Sequence, residues 1–194
     1  FIKKIKFILI VLLVYQTPEY SKSASFDDFN SKSLSKYFSG IVAFENKKNE
    51  LALDFFNSSK ILLNEHDPYL KRYIYSLVLE NKVSQAINVV KNNINKTNTN
   101  FFDAYLLLVL DNLKKGNYEK ADVYLKKTIN LFPSNKLNSA ILESLKGYIY
   151  VFKEKKLLKD KKNLGKLSII SETFQRCYLE DNTADKYFSN LIND

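Results

Sequence analysis

The chain has 194 residues, of which 45% are hydrophobic and 26% are charged, and its formal net charge is +9. This length fits one domain with a substantial core, and the apolar fraction excludes a disordered chain. Four Gly, three Pro and no Trp argue against an all-β fold, the single Cys excludes a disulfide framework, and the single His argues against a His-based metal site.

The first 25 residues have the three parts of a secretory signal. A basic start is followed by the apolar run Phe7–Tyr15, and small residues stand directly before Phe26. A membrane-spanning helix needs about 20 apolar residues, more than this run offers. We predict export to the periplasm or cell envelope, with residues 1–25 acting as a signal peptide or an N-terminal anchor; a buried core segment is the alternative. Because the chain starts with Phe1 and contains no Met, we expect it to be part of a longer bacterial protein.

From Ser33 onward, apolar residues recur at helical spacing and are interrupted only by short polar pieces. These pieces fall near Asn46–Asn49, Glu65–Pro68, Asn81–Lys82, Asn95–Asn100, Lys115–Asn117 and Pro133–Lys136. Helices joined by such short links must be antiparallel neighbours, so the predicted unit is an α-hairpin and the predicted fold class is all-α.

The helical pattern repeats with a period of 34 to 35 residues. Ala52, Ala86 and Ala121 are spaced by that interval, and each lies near the start of the second helix of a predicted pair. A large apolar residue follows each of them by four positions: Phe56, Val90 and Leu125. A fixed period of this length is typical of repeat proteins built from stacked helix pairs.

The third unit has the most complete motif. Gly116 permits a tight turn, Ala121 is small where two helices cross, and Pro133 ends the second helix. Together with Tyr118 and Leu125, which fill the space between the helices, this run resembles the second half of a tetratricopeptide repeat. Unit two has Asn81 where unit three has Gly116, and unit one offers Gly40 as a small residue of its first helix.

The resemblance implies a right-handed α-solenoid of antiparallel hairpins. It covers residues 26–133 as three hairpins, most clearly from residue 33, and residues 134–194 as degenerate helical repeats. We expect these repeats to continue in the longer protein. In the last part, Ala184 and Phe188 hint at one more second helix. The pentatricopeptide type, which binds RNA, is a rival repeat. The export signal, the ending Leu131-Phe132-Pro133 and the lack of a regular base-reading pair argue against it, so we predict no nucleic-acid partner.

The first helices of stacked hairpins line the concave face of a solenoid. The resemblance places nine residues on that face: Tyr37, Ile41, Phe44, Lys71, Tyr75, Val78, Leu106, Leu110 and Leu113. The set is apolar and aromatic with a single Lys, unlike the Lys, Arg and Asn cluster with which repeat proteins capture a terminal carboxylate. We therefore predict a groove for an apolar helix or extended segment of a protein partner. The alternative is that neighbouring helices cover these residues.

A basic run, Lys153–Lys162, holds six Lys and two acidic residues. It carries +4 and residues 1–25 carry +3, which leaves only +2 for the rest of the chain. The run is typical of a solvated helix end, and peripheral association with anionic lipid is its alternative role.

The sequence offers no catalytic machinery. It contains no Gly-rich phosphate loop, nucleophile elbow or Cys and His cluster, so we predict no catalytic residue, no cofactor and no metal site. The predicted function is a non-catalytic scaffold that holds a protein or peptide partner. The alternative is the helical part of an envelope enzyme whose catalytic domain lies elsewhere in the full protein.

Overall fold

The computed structural model describes residues 31–64, 66–96, 99–131 and 136–193, and these ranges contain helices and links but no strand. A 3-10 helix, Lys60–Leu63, accompanies nine α-helices in this part of the chain: α1 (Ser31–Glu45), α2 (Asn49–Asn57), α3 (Asp67–Leu79), α4 (Val83–Asn93), α5 (Phe102–Lys114), α6 (Tyr118–Leu131), α7 (Lys136–Glu154), α8 (Lys166–Tyr178) and α9 (Ala184–Asn193). The predicted all-α class is confirmed. The predicted signal, residues 1–25, and the repeat residue Pro133 lie outside the described residues.

Each α-helix packs against the next one in the chain, and α1 also contacts α3. The buried apolar side chains form two clusters. The larger one extends from α1 to α5 and includes Phe56 and Tyr69, and the smaller one joins α5, α6 and α7 through Val109, Leu125 and Ile149. Because full burial of one large apolar side chain contributes about 1.5–3 kcal/mol, these clusters are the main source of stability.

The links α1–α2, α3–α4 and α5–α6 are three residues long and share one backbone turn. The middle residue is left-handed in all three, with φ of 58° at Lys47, 57° at Asn81 and 71° at Gly116. Its N–H donates to the carbonyl three residues back, and the next N–H donates to the carbonyl five residues back. This pair of bonds is a Schellman motif, which satisfies carbonyls at the end of the first helix.

The residues of the 34- to 35-residue repeat occupy matching places after these turns. Ala52, Ala86 and Ala121 are each the fourth residue of α2, α4 and α6 and are fully buried. The large apolar residues four positions later are also buried: Phe56, Val90 and Leu125. Gly40 marks a close approach of α1 to α2, because a Cβ atom there would lie 2.8 Å from the ring of Phe56.

A further repeat position is buried but polar. Ser59, Asn93 and Thr128 are spaced by the same 34 and 35 residues, and all three are buried. Each side chain donates to the carbonyl four residues earlier, at 2.9 Å for Ser59, 2.8 Å for Asn93 and 2.7 Å for Thr128. A buried polar group is tolerated when it is hydrogen-bonded in this way. The three residues differ in type, so the repeat pattern in the sequence does not reveal this position.

Helices α7 and α8 are joined by a long link rather than by the three-residue turn of the earlier helix pairs. Gly147 of α7 lies against Gln175 of α8. Further along both helices, the ring centroid of Phe152 lies 4.9 Å from that of Tyr178, so the two helices run in the same direction. The link between these helices spans residues 155–165 and returns beside α8, where Lys161 pairs with Glu172 at 2.7 Å. An extended link of eleven residues can span about 36 Å, which is long enough to join two helices that run in the same direction.

Helix α8 buries polar side chains and exposes apolar ones. Ser171 and Gln175 are buried, while Leu167, Ile170 and Phe174 are exposed. Phe174 is partly covered by Phe188 of α9, whose ring centroid lies 5.4 Å away. The described residues therefore leave most of the apolar face of α8 open. None of the helices in the described ranges combines the length and apolarity that crossing a bilayer requires.

Candidate partner-binding groove

An apolar groove of about 330 Å³ opens between the end of α1 and the helices α3 and α5. Its lining residues are Phe44, Ile74, Tyr75, Val78, Leu79, Asp103, Leu106, Leu107 and Leu110. Residues three and four positions apart share one face of a helix, so α3 and α5 each present a short apolar stripe to this space. The volume falls in the range of about 300–1,000 Å³ that is usual for ligand sites.

The structure brings together five of the nine residues that the sequence placed on the groove: Phe44, Tyr75, Val78, Leu106 and Leu110. A sixth, Lys71, lies at the edge. Its ammonium group is 5.6 Å from the ring centroid of Tyr75 and 5.8 Å from that of Phe101. Lys71 therefore covers aromatic surface rather than lining the floor.

Three predicted groove residues lie elsewhere. Tyr37 is only 2% exposed and belongs to the core, where its ring packs on His66 and Tyr69, so it does not line this groove. The cause is that α3 packs over this part of α1 and covers the position. Ile41 and Leu113 are half-buried and pack against the two core clusters instead of lining the groove.

Four lining residues were not predicted: Ile74, Leu79, Asp103 and Leu107. Ile74, Leu79 and Leu107 are apolar and directly follow or precede a predicted groove residue in the sequence. A predicted apolar face one residue wider on α3 and α5 would include them. Leu79 and Leu110 are about half exposed and form the open wall of the groove. No sequence signal marks Asp103.

One hydrogen bond supplies the polar feature of the groove. The hydroxyl of Tyr75 donates to Oδ2 of Asp103 at 2.6 Å and so joins α3 to α5. Burial, and then the neighbouring carboxylate of Asp103, raise the pKa of Tyr75 well above its usual value. The phenol therefore remains a protonated donor, and Asp103 is the single acidic residue among those that line this groove.

An ion pair holds the α1 wall of the groove against α3. Arg72 bonds Glu45 through its guanidinium at 2.9 Å and lies 5.3 Å from the ring centroid of Phe44. Both charged side chains are partly exposed, so the pair contributes at most about 1 kcal/mol. Its main effect is to position the ring of Phe44 at the groove.

A second cavity, of about 400 Å³, adjoins the first between α4 and α5. Leu107 and Leu110 line both cavities, and the second is also bounded by Val83, Ser84, Ile87, Asn88, Asp111, Lys114 and Lys115. The two cavities are therefore neighbours along α5.

Asp111 is a buried carboxylate at the floor of the second cavity. Lys91 contacts its Oδ2 and Lys115 its Oδ1, each at 2.7 Å. Burial by itself raises the pKa of Asp111, but the two ammonium groups outweigh burial and hold that pKa below its usual value. Asp111 is thus ionised at neutral pH and ties α4 to α5.

The basic run Lys153–Lys162 is partly used within the fold. Lys153 pairs with Glu119 of α6 at 2.8 Å, Lys161 pairs with Glu172, and Lys155 lies 4.8 Å from the ring centroid of Tyr178. These contacts fasten the α7–α8 link to the neighbouring helices.

No family model, curated protein or solved structure matches this chain. The tetratricopeptide resemblance therefore depends on the residues and their spacing alone.

Proposed function

We propose that the chain is a non-catalytic scaffold of tetratricopeptide type that holds an apolar segment of a protein partner. The observation that carries this proposal is the open apolar groove between α1, α3 and α5, with Tyr75, Val78, Leu106 and Leu110 on its walls. A contiguous apolar surface rimmed by polar groups is typical of a protein interface, and a groove of this kind suits a helix or an extended segment.

The finer architecture belongs to the same proposal. We propose that α1 with α2, α3 with α4, and α5 with α6 are antiparallel hairpins, stacked as a right-handed solenoid. Support comes from the shared turn at Lys47, Asn81 and Gly116 and from the recurrence of buried Ala at the same interval. A stack with one repeated turn sets its first helices side by side, which is how a continuous groove forms.

The proposed place of action is the periplasm or cell envelope. The support is the signal-like segment at residues 1–25, with its basic start and the short apolar run Phe7–Tyr15. Sequencing the N-terminus of the protein isolated from cells tests this point. A mature chain starting at Phe26 supports a cleaved signal, and a chain that keeps Lys3 and Lys4 in the cytoplasmic fraction contradicts export.

Replacing one groove residue and one matched residue tests the proposed function. Leu110 in the groove and Leu131 on α6 are each 45% exposed, so Leu110→Ser and Leu131→Ser remove equal apolar surface from different faces. We expect Leu110→Ser to weaken capture of the partner about tenfold or more, because removal of a central apolar anchor costs at least about 1–2 kcal/mol.

Both variants are expected to melt close to the unchanged protein, because surface substitutions cost less than about 0.5 kcal/mol. The measurement is quantitative capture from an envelope extract, with melting followed by circular dichroism. Equal capture by Leu110→Ser and the unchanged protein, or equal loss in both variants, would contradict the groove as the binding site.

A further inference from the structure

The groove and the second cavity share Leu107 and Leu110 as lining residues, and the two differ in charge. Lys71 and Asp103 lie near Tyr75 beside the groove, so both signs of charge are present there. At the second cavity, Lys91 and Lys115 pair with the carboxylate of Asp111, and Lys114 is a further basic residue of the lining. The charges beside the groove are therefore balanced, whereas the neighbouring second cavity is cationic.

The excess positive charge at the second cavity is available to a partner. Both oxygens of Asp111 are already bound, one to Lys91 and the other to Lys115. Lys114 is exposed in the last turn of α5 and lines the second cavity. The side chains of Lys91 and Lys115 remain about half exposed, so their charges also attract a negative group placed above them.

We infer that the partner segment carries acidic side chains at the end that lies over the second cavity, with its apolar residues filling the groove beside Tyr75. This inference rests on the proposed function and adds the direction and the chemistry of the occupant. Charge complementarity across an interface of this kind sets the register and the rate of association more than the total affinity.

The length of α5 sets the spacing of the two features in the partner. Asp103 and Lys114 are eleven residues apart on one helix, which corresponds to about 16 Å. An extended segment covers that distance with about five residues, and a helical segment with about eleven. Acidic residues are therefore expected about five or about eleven positions from the first apolar anchor.

Three synthetic peptides test the inference. Each has the same Leu-rich block, capped ends and a fluorescein label, and they differ only in a terminal block of three Glu, three Gln or three Lys. Fluorescence anisotropy with the unchanged protein is expected to give the tightest binding for the Glu peptide, about two- to fivefold tighter than for the Gln peptide, and weakest binding for the Lys peptide. The advantage of the Glu peptide should shrink when salt rises from about 0.05 to 0.5 M.

Reversing the charge of one lysine of the second cavity gives a second test of the inference. Lys114→Glu is expected to weaken binding of the Glu peptide and to strengthen binding of the Lys peptide. The control Lys120→Glu, at an exposed position of α6 away from both cavities, is expected to leave the order of the three affinities unchanged. Equal binding of all three peptides, or the same response in both variants, overturns the inference and leaves the proposed function standing. If none of the peptides binds the unchanged protein, both fail.

Discussion

Lys47, Asn81 and Gly116 adopt the same left-handed backbone conformation although their side chains differ. Gly adopts it without a steric penalty, and Asn tolerates it better than other residues. A Lys side chain costs about 1 kcal/mol or more there, because its Cβ approaches the following carbonyl. The turn at Lys47 is therefore the least favourable of the three, and it persists because the helices on both sides pack together.

Lys47→Gly is expected to stabilise the protein by about 0.5–1 kcal/mol, after the larger entropy of Gly in the unfolded chain is allowed for. Gly116→Ala should instead lower the free energy of unfolding by about 1 kcal/mol, because Ala is strained at the positive φ of this position. The measurement is urea-induced unfolding. Lys36→Gly, within α1, is the control and should lose about 1 kcal/mol, because Gly is unfavourable inside a helix. A loss of stability in Lys47→Gly would show that the turn does not carry this strain.

Asp111 gives the protein a pH-dependent component of stability. Its pKa in the folded state is lowered by Lys115 and Lys91 against the opposing effect of burial. Its contribution is therefore complete above the unfolded pKa of about 4 and is lost as the pH falls through the lower folded value. Asp111→Asn should destabilise the protein more at pH 7 than at pH 3, measured as the difference in unfolding free energy from the unchanged protein. An equal difference at both pH values would contradict the pairing.

At the scale of elements, the crossing of α1 and α2 depends on Gly40. A Cβ atom there would lie 2.8 Å from the ring of Phe56, which is fully buried and has no space to yield. Gly40→Ala should cost about 1–3 kcal/mol in thermal or urea unfolding, despite the better helix propensity of Ala. Ser39→Ala, one residue earlier on a more exposed face, should change stability by less than about 0.5 kcal/mol.

A double substitution distinguishes a steric clash with Phe56 from a general effect of Gly40→Ala on the stability of α1. Phe56→Leu shortens the side chain that faces Gly40, so Gly40→Ala should cost less in that background than alone. Equal costs in both backgrounds would mean that the two helices do not meet at this point.

The helices and their links could be predicted because local rules set them. Apolar residues recur at helical spacing, and polar pieces such as Lys115–Asn117 interrupt them where the chain turns. The common direction of α7 and α8 could not be predicted, because a link as long as residues 155–165 permits either direction. Burial of Ser171 and Gln175 in α8 also contradicts the usual amphipathic pattern, which assigns the apolar stripe to the core.

For the molecule as a whole, the groove was partly predictable. Tyr75, Val78 and Leu110 lie at positions that the tetratricopeptide resemblance assigns to the concave face, and all three line the groove. Tyr37 lies in the core instead, because Tyr69 of α3 packs against it, and such a tertiary contact does not follow from the sequence pattern. The cationic second cavity was missed since Lys91 and Lys115 belong to different elements and meet only through Asp111.

The most direct test of the proposed function is site-specific photo-cross-linking in cells that express the full-length protein. A benzophenone amino acid replaces Leu110 in the groove or Leu131 on α6, two positions of equal exposure on different faces. The groove proposal predicts a discrete adduct from position 110, competed by the Glu-ended apolar peptide, and none from position 131. Equal adducts at both positions, or a partner that binds the full-length protein without an adduct at position 110, would contradict it.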